Sequence, residues 1–172
     1  MSQHLPDHLD PWRFADLGKR ISGSYQLKDL PRLSLCLIDS QGEVSFTLEF
    51  FRDRQRRACL RGRVVSELLL QCQRCLDVMR LSVDSEVALA FVESIDEAEG
   101  LPDELDPQLV DEGRVSLRDL IEDELLLALP QVSMHPDEAC KIRPDSGPGE
   151  EKPAAVRENP IAVLAELKRN DK

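Results

Sequence analysis

Two cysteines separated by two residues, Cys72 and Cys75, are the sharpest chemical feature of this chain. Thiolates at that spacing on a tight turn bind one zinc ion from the same side and leave two tetrahedral positions for ligands from elsewhere. His135 and Cys140 follow the strongest helical pattern and are the candidates for those positions. Three cysteines and one histidine would make a structural zinc site that ties a hairpin tip to the segment leaving a helix. The alternative is a hairpin with two reduced thiols and an unrelated polar loop. A redox pair of the thioredoxin kind fits less well. Such pairs begin a helix, which lowers the thiol pKa, whereas strand patterns flank this one on both sides.

A second group suits phosphate recognition. Arg52, Arg54, Arg56, Arg57, Arg61 and Arg63 fall in one short stretch whose only acid is Asp53. Guanidinium groups bind phosphates bidentately, and Phe51 offers a ring on which a base can stack. The other reading is a solvated strand face balanced by the stretch from Glu93 to Glu112, which holds nine acids and no base.

Catalytic arrangements find little support. His4 and His8 belong to the N-terminal region, and His135 is the remaining histidine. No serine or cysteine has a nucleophile-elbow context, and no glycine-rich phosphate loop is present. Runs of carboxylates read as solvated surface. Glu122, Asp123 and Glu124 fall mid-helix, with Glu124 at the margin of the apolar stripe, where it is expected to pair with a base such as Arg74.

These residues need a scaffold, and three stretches alternate apolar and polar residues with period two, the mark of half-buried strands. One carries Val44, Phe46, Leu48 and Phe50 on a single face. The next carries Ala58, Leu60, Val64, Leu68 and Leu70 opposite Arg57, Arg61, Arg63 and Glu67. The third carries Met79, Leu81, Val83, Val87, Leu89 and Phe91. Short connections favour antiparallel pairing, with Cys72 to Cys75 joining the last two strands and Asp39 to Gly42 another pair. A short strand is expected over 21–27, and Leu33, Leu35 and Leu37 predict a strand apolar on both faces. The acidic stretch, with Pro102, Pro107 and Gly113, predicts a long surface loop with at most one helical turn.

Helix signals are clear at three places. Asp10-Pro11 supplies an N-cap and a proline at the first helical position, predicting a helix to about Asp16. Ser116 with Asp119 resembles a capping box. It opens a helix with Leu117, Leu120, Ile121, Leu125 and Ala128 on one stripe, ended by Pro130. Asn159-Pro160 opens a short amphipathic helix whose Ile161, Leu164 and Leu167 are candidates for docking on a partner. Proline, glycine and glutamate dominate 143–158, which reads as a flexible linker.

The 172 residues carry a formal net charge of -11, so non-specific attraction to nucleic acid is disfavoured. Five cysteines, an odd number, argue against a disulfide framework. No N-terminal apolar run marks a secretory signal. Apolar runs such as Leu125 to Leu129 are far short of the roughly 20 residues that cross a bilayer. A cytoplasmic protein without membrane contact is the expectation.

Leu70-Gln-Cys-Gln-Arg-Cys-Leu76 resembles the cysteine signature of the bacterial YceD family, the large ribosomal RNA subunit accumulation proteins. So do Leu120 to Pro130 followed by His135 and Cys140, the segment from Asn159 to Lys168, and the opening Asp10-Pro11 helix. Ile161 stands where the family often has phenylalanine. The resemblance implies a role in synthesis, processing or stability of 23S rRNA, without established enzymatic activity. Partners would be 23S rRNA or its precursor, large-subunit assembly particles or an RNA-processing protein, with no small-molecule substrate. An adaptor that regulates an RNA-processing enzyme without touching RNA is the alternative, and a nuclease or other hydrolase a further one.

The expected fold is α+β. It has one domain over 1–142, with an antiparallel, curved sheet packed by the helix from Ser116 to Leu129 and a short N-terminal helix. The linker over 143–158 and the C-terminal helix over 159–172 are appended.

Overall fold

Period-two alternation becomes a five-stranded sheet in the computed structural model, which describes residues 5–110 and 112–141. The linker and the C-terminal helix expected from sequence, with Ile161, Leu164 and Leu167, lie outside the described residues.

The strands are β2 (Arg20–Gln26), β3 (Glu43–Arg52), β4 (Ala58–Gln71), β5 (Val78–Val92) and β6 (Asp106–Leu109), paired in that order. The first four run antiparallel, with Phe46 opposite Val64 and Leu60 opposite Leu89. A small ribbon of β1 (His8–Leu9) and β7 (Val115–Ser116) holds the N-terminal segment beside the start of the main helix.

One face of the large sheet carries the core, as the alternation requires. Val44, Leu48, Phe50, Leu60, Val64 and Leu68 have no solvent exposure. Helix α1 (Pro11–Asp16) starts where Asp10 accepts the Arg13 backbone N–H at 3.0 Å. Phe14 then meets Phe50 edge-on at 5.4 Å, and Phe50 stacks on Phe91 at 6.0 Å. Helix α4 (Leu117–Leu127) begins at Ser116, whose hydroxyl accepts the Asp119 N–H at 3.2 Å. It buries Leu117, Leu120, Ile121 and Leu125, the stripe read from the sequence.

Three expectations are corrected. Leu33, Leu35 and Leu37 do not form a strand; Pro31–Ser34 is a short helix, α2, after a 3-10 turn over Leu27–Asp29. A strand apolar on both faces would bury Leu35, which is 88% exposed, while Leu27, Leu30 and Leu33, at helical spacing, are fully buried. The controlling signal is Pro31 at the first helical position. The Asp39 to Gly42 turn therefore leads from this helical segment into β3, with Asp39 bridged to Leu69 of β4.

The acidic stretch holds the single helical turn expected, α3 (Ile95–Glu99), capped by Ser94, but also the edge strand β6 in place of loop. Strand β6 runs parallel to β5, so the sheet is mixed and only mostly antiparallel. A four-residue edge strand containing Pro107 has no alternation to reveal it, and proline is tolerated there because one edge needs no donors.

Candidate metal centre

The β4–β5 ladder ends at the pairs Leu70–Met79 and Gln71–Val78, and the chain reverses through Cys72 to Asp77. Two backbone bonds close the turn, Cys72 N–H to Asp77 O at 2.9 Å and Leu76 N–H to Cys72 O at 2.9 Å. Leu76 has φ 62, a left-handed conformation unfavourable for a non-glycine residue, held by these bonds. The turn aims Cys72 and Cys75 toward the segment that leaves α4.

That segment is fixed by backbone contacts. Gln73 N–H donates to Ser133 O at 2.7 Å, and His135 N–H donates to the Cys72 sulfur at 3.4 Å. The Ala139 and Cys140 N–H groups return to Pro136 O at 2.9 and 3.1 Å, turning the Cys140 side chain inward. The three sulfurs and one imidazole nitrogen then all lie within 4.8 Å of one another. A tetrahedral metal with sulfur ligands at ~2.3 Å separates its donors by ~3.8 Å, so small adjustments would seat the ion. Cys72 and Cys140 are buried, and all five cysteines of the chain are free thiols.

The imidazole is oriented for ligation. His135 Nδ1 is 3.4 Å from the Cys75 sulfur, while Nε2 is 3.0 Å from Val78 O. A carbonyl only accepts, so Nε2 carries the proton and Nδ1 presents its lone pair to the sulfurs. Metal-binding histidines are held by this kind of outer hydrogen bond.

Arg74, inside the Cys-x-x-Cys turn, braces the other side. Its guanidinium donates to Asp137 at 2.6 Å and to the Met134 sulfur at 3.7 Å. It does not pair with Glu124, as the sequence suggested; Asp137 lies on the same short segment as His135 and Cys140 and is the nearer acid.

The thiols do not titrate alike. Burial opposes the Cys72 thiolate, but the Cys75, His135 and Arg74 backbone N–H groups point at its sulfur and bring its pKa down to about 6. For Cys75 the Asp77 N–H favours the thiolate, yet burial and the neighbouring Cys72 and Cys140 sulfurs prevail and push it up. A Cys72 thiolate beside the Cys75 and Cys140 sulfurs is a crowded donor set whose negative charge a divalent cation would neutralise.

The six arginines divide into two groups. Arg61 and Arg63 point outward from β4 and pair across the sheet, Arg61 with Glu49 at 2.9 Å and Arg63 with Asp84. Their hydrogen bonds, with their charges, hold both carboxyls below the usual carboxylate range. Arg52, Arg54, Arg56 and Arg57 belong to the β3–β4 hairpin tip, where Arg52 meets Asp16 at 2.8 Å and Arg57 meets Asp53 at 2.6 Å. The partners of the paired members are thus on α1, β3, β5 and the tip itself, not on the acidic stretch from Glu93 to Glu112.

Sequence reasoning missed Glu122. Its side chain is 1% exposed and is bound by Arg32 on α2, a pairing separated by 90 positions and without a local signal. No described helix is long and apolar enough to cross a membrane.

The family described as large ribosomal RNA subunit accumulation protein YceD matches residues 60–168, a span that includes all four candidate ligands. A Haemophilus influenzae protein named large ribosomal RNA subunit accumulation protein YceD is 33% identical over 168 residues, covering 96% of this chain and 97% of its own length. No solved structure matches the chain.

Proposed function

The chain belongs to the YceD family, and on that premise we propose that it is a non-enzymatic factor in the cytoplasm that sustains accumulation of the large-subunit ribosomal RNA. The supporting observation is 33% identity to a protein of that name, aligned along nearly the whole length of both chains. The Cys72, Cys75, His135 and Cys140 cluster is read as a structural zinc site. Four protein donors complete a tetrahedron and leave no position for substrate, which is the mark of a structural rather than a catalytic zinc. The ion would hold the β4–β5 turn against the segment after α4.

The test is the ratio of 23S to 16S rRNA in a strain of the source organism lacking this protein. The ratio should fall and recover with the wild-type gene; an unchanged ratio would overturn the reading. Affinity capture with and without RNase then identifies the route. Captured precursor rRNA supports direct action, whereas protein partners that survive RNase, without rRNA, mark an adaptor.

A further inference from the structure

We infer that the β3–β4 hairpin tip, with the adjoining end of α1, is a preformed cationic surface that contacts the RNA phosphate backbone directly. The inference rests on the rRNA reading above and separates two sets of arginines that the sequence places together.

The outward face of the sheet is neutralised by its own acids. Arg61 and Arg20 share Glu49, Arg63 holds Asp84, and Arg80 meets Glu67 at 3.0 Å. An RNA phosphate arriving there would have to displace a carboxylate. The tip differs. Arg54 and Arg56, with Arg13 on α1 and Lys19 just after it, are exposed and in no carboxylate ion pair among the described residues.

Contacts through Arg52 bring these pieces together. Its guanidinium donates to Asp16 at 2.8 Å, to Arg56 O at 3.0 Å and to Trp12 O at 3.5 Å. The Phe50 N–H bonds Lys19 O at 2.8 Å, fixing the segment after α1 against the base of the hairpin. Residues 10–19 and 50–58 carry six bases against three acids. Two of those acids, Asp16 and Asp53, are engaged by arginines, and Asp10 caps α1. In a chain of formal net charge -11, this end gathers, among the described residues, an excess of base that a polyanion can approach.

The turn is also held in one shape. The Asp53 carboxylate accepts the Gln55 and Arg57 N–H groups at 2.9 and 2.8 Å and the Arg57 Nε–H at 2.7 Å. Arg56, at φ 63, is fixed by its N–H to Asp53 O at 3.0 Å and by the Arg52 bond to its carbonyl. Little backbone order remains to be gained on binding, so the free guanidiniums are presented in advance for bidentate phosphate contact.

The experiment measures anisotropy of a labelled 23S rRNA transcript with the full chain, across a salt series. Variants are Arg54→Glu with Arg56→Glu, and Arg61→Ala with Arg63→Ala, each checked for folding by circular dichroism. The tip variant should bind about tenfold more weakly or worse, and its salt slope should fall by about two. The sheet-face variant should stay within about twofold of wild type, since its charges are already paired. A folded tip variant that binds as wild type does, or an equal loss in both variants, overturns the inference. So does tighter binding to labelled poly-glutamate than to RNA, which would mark the tip as a site for an acidic protein. If the deletion strain loses 23S rRNA while the wild-type protein ignores the transcript, tip contact fails and the accumulation reading stands. If the transcript binds through the tip while the deletion strain keeps its rRNA, the reverse holds.

Discussion

The Glu122 carboxylate of α4 accepts the backbone N–H groups of Arg32 and Leu33 at 2.7 and 3.0 Å, so a buried acid of one helix caps the start of another. The first N–H groups of a helix have no partner within it, and at α2 the preceding Leu30 supplies no side-chain cap. Arg32 Nε–H completes the arrangement at 2.9 Å and balances the charge.

Removing that carboxylate leaves two N–H groups without their acceptor and Arg32 without its buried partner. Glu122→Ala should therefore cost about 3 kcal/mol in urea unfolding. Glu122→Gln keeps an acceptor and should cost less. An alanine variant of wild-type stability would show that the cap is not formed in solution.

Gly62 predicts a steric penalty. A Cβ there would stand 2.3 Å from the Thr47 carbonyl oxygen and 2.7 Å from Leu48 Cδ2. The oxygen belongs to the backbone of β3, directly beside β4, and cannot rotate away. Gly62→Ala should destabilise by about 2 kcal/mol or more, as overpacking does. Gly18→Ala is the comparison. Its φ is +56 but no atom lies within 4 Å, so only backbone strain of about 1 kcal/mol is expected. Equal effects at the two positions would refute the steric account.

The contrast between Gly62 and the candidate ligands shows what the sequence could reveal. Cys72 and Cys75 announce themselves by spacing, and His135 and Cys140 follow a helix whose Ser116 cap and apolar stripe are local patterns. The long strands were legible because alternation is repeated along β3, β4 and β5. Glu122 looked like any mid-helix acid, since its burial depends on α2 folding over it from far along the chain. Strand β6 was hidden for a similar reason: its order comes from the β5 edge, not from its own composition. The split among the arginines depends on Glu49 and Asp84, acids on neighbouring strands that only the register places beside Arg61 and Arg63.

Glu124 sets a pH dependence. Burial raises its pKa, and the nearby Asp106 and Asp123 charges raise it further. The folded state thus holds this proton more tightly than the unfolded chain. Its contribution to stability is full below the ordinary glutamate value and is lost as pH rises through the raised folded value. At neutral pH the charged side chain is a cost, reduced by solvent because Glu124 is only partly buried. Glu124→Gln should gain about 0.5 kcal/mol at pH 7 and show no gain under acid conditions. A gain that persists unchanged into acid would point to packing and not to charge.

The candidate ligand cluster belongs to a small core of its own, in which Leu70, Cys72, Met79 and Cys140 are buried together, apart from the main cluster around Phe50 and Leu60. That separation predicts local rather than global melting. Protein purified without chelator should carry about one equivalent of zinc. Strong chelation, or Cys75→Ser, should raise amide exchange at Leu76, Gln73 and His135, whose N–H groups are held by the turn and the segment after α4. Amides of β3 should keep their protection, because their partners lie in the sheet. Replacing zinc with cobalt should give the intense near-ultraviolet absorption of thiolate ligation, weakened in Cys140→Ser. Purified protein that is metal-free yet shows full protection at Leu76 and His135 would reject the zinc site, since hydrogen bonds alone would then hold the turn.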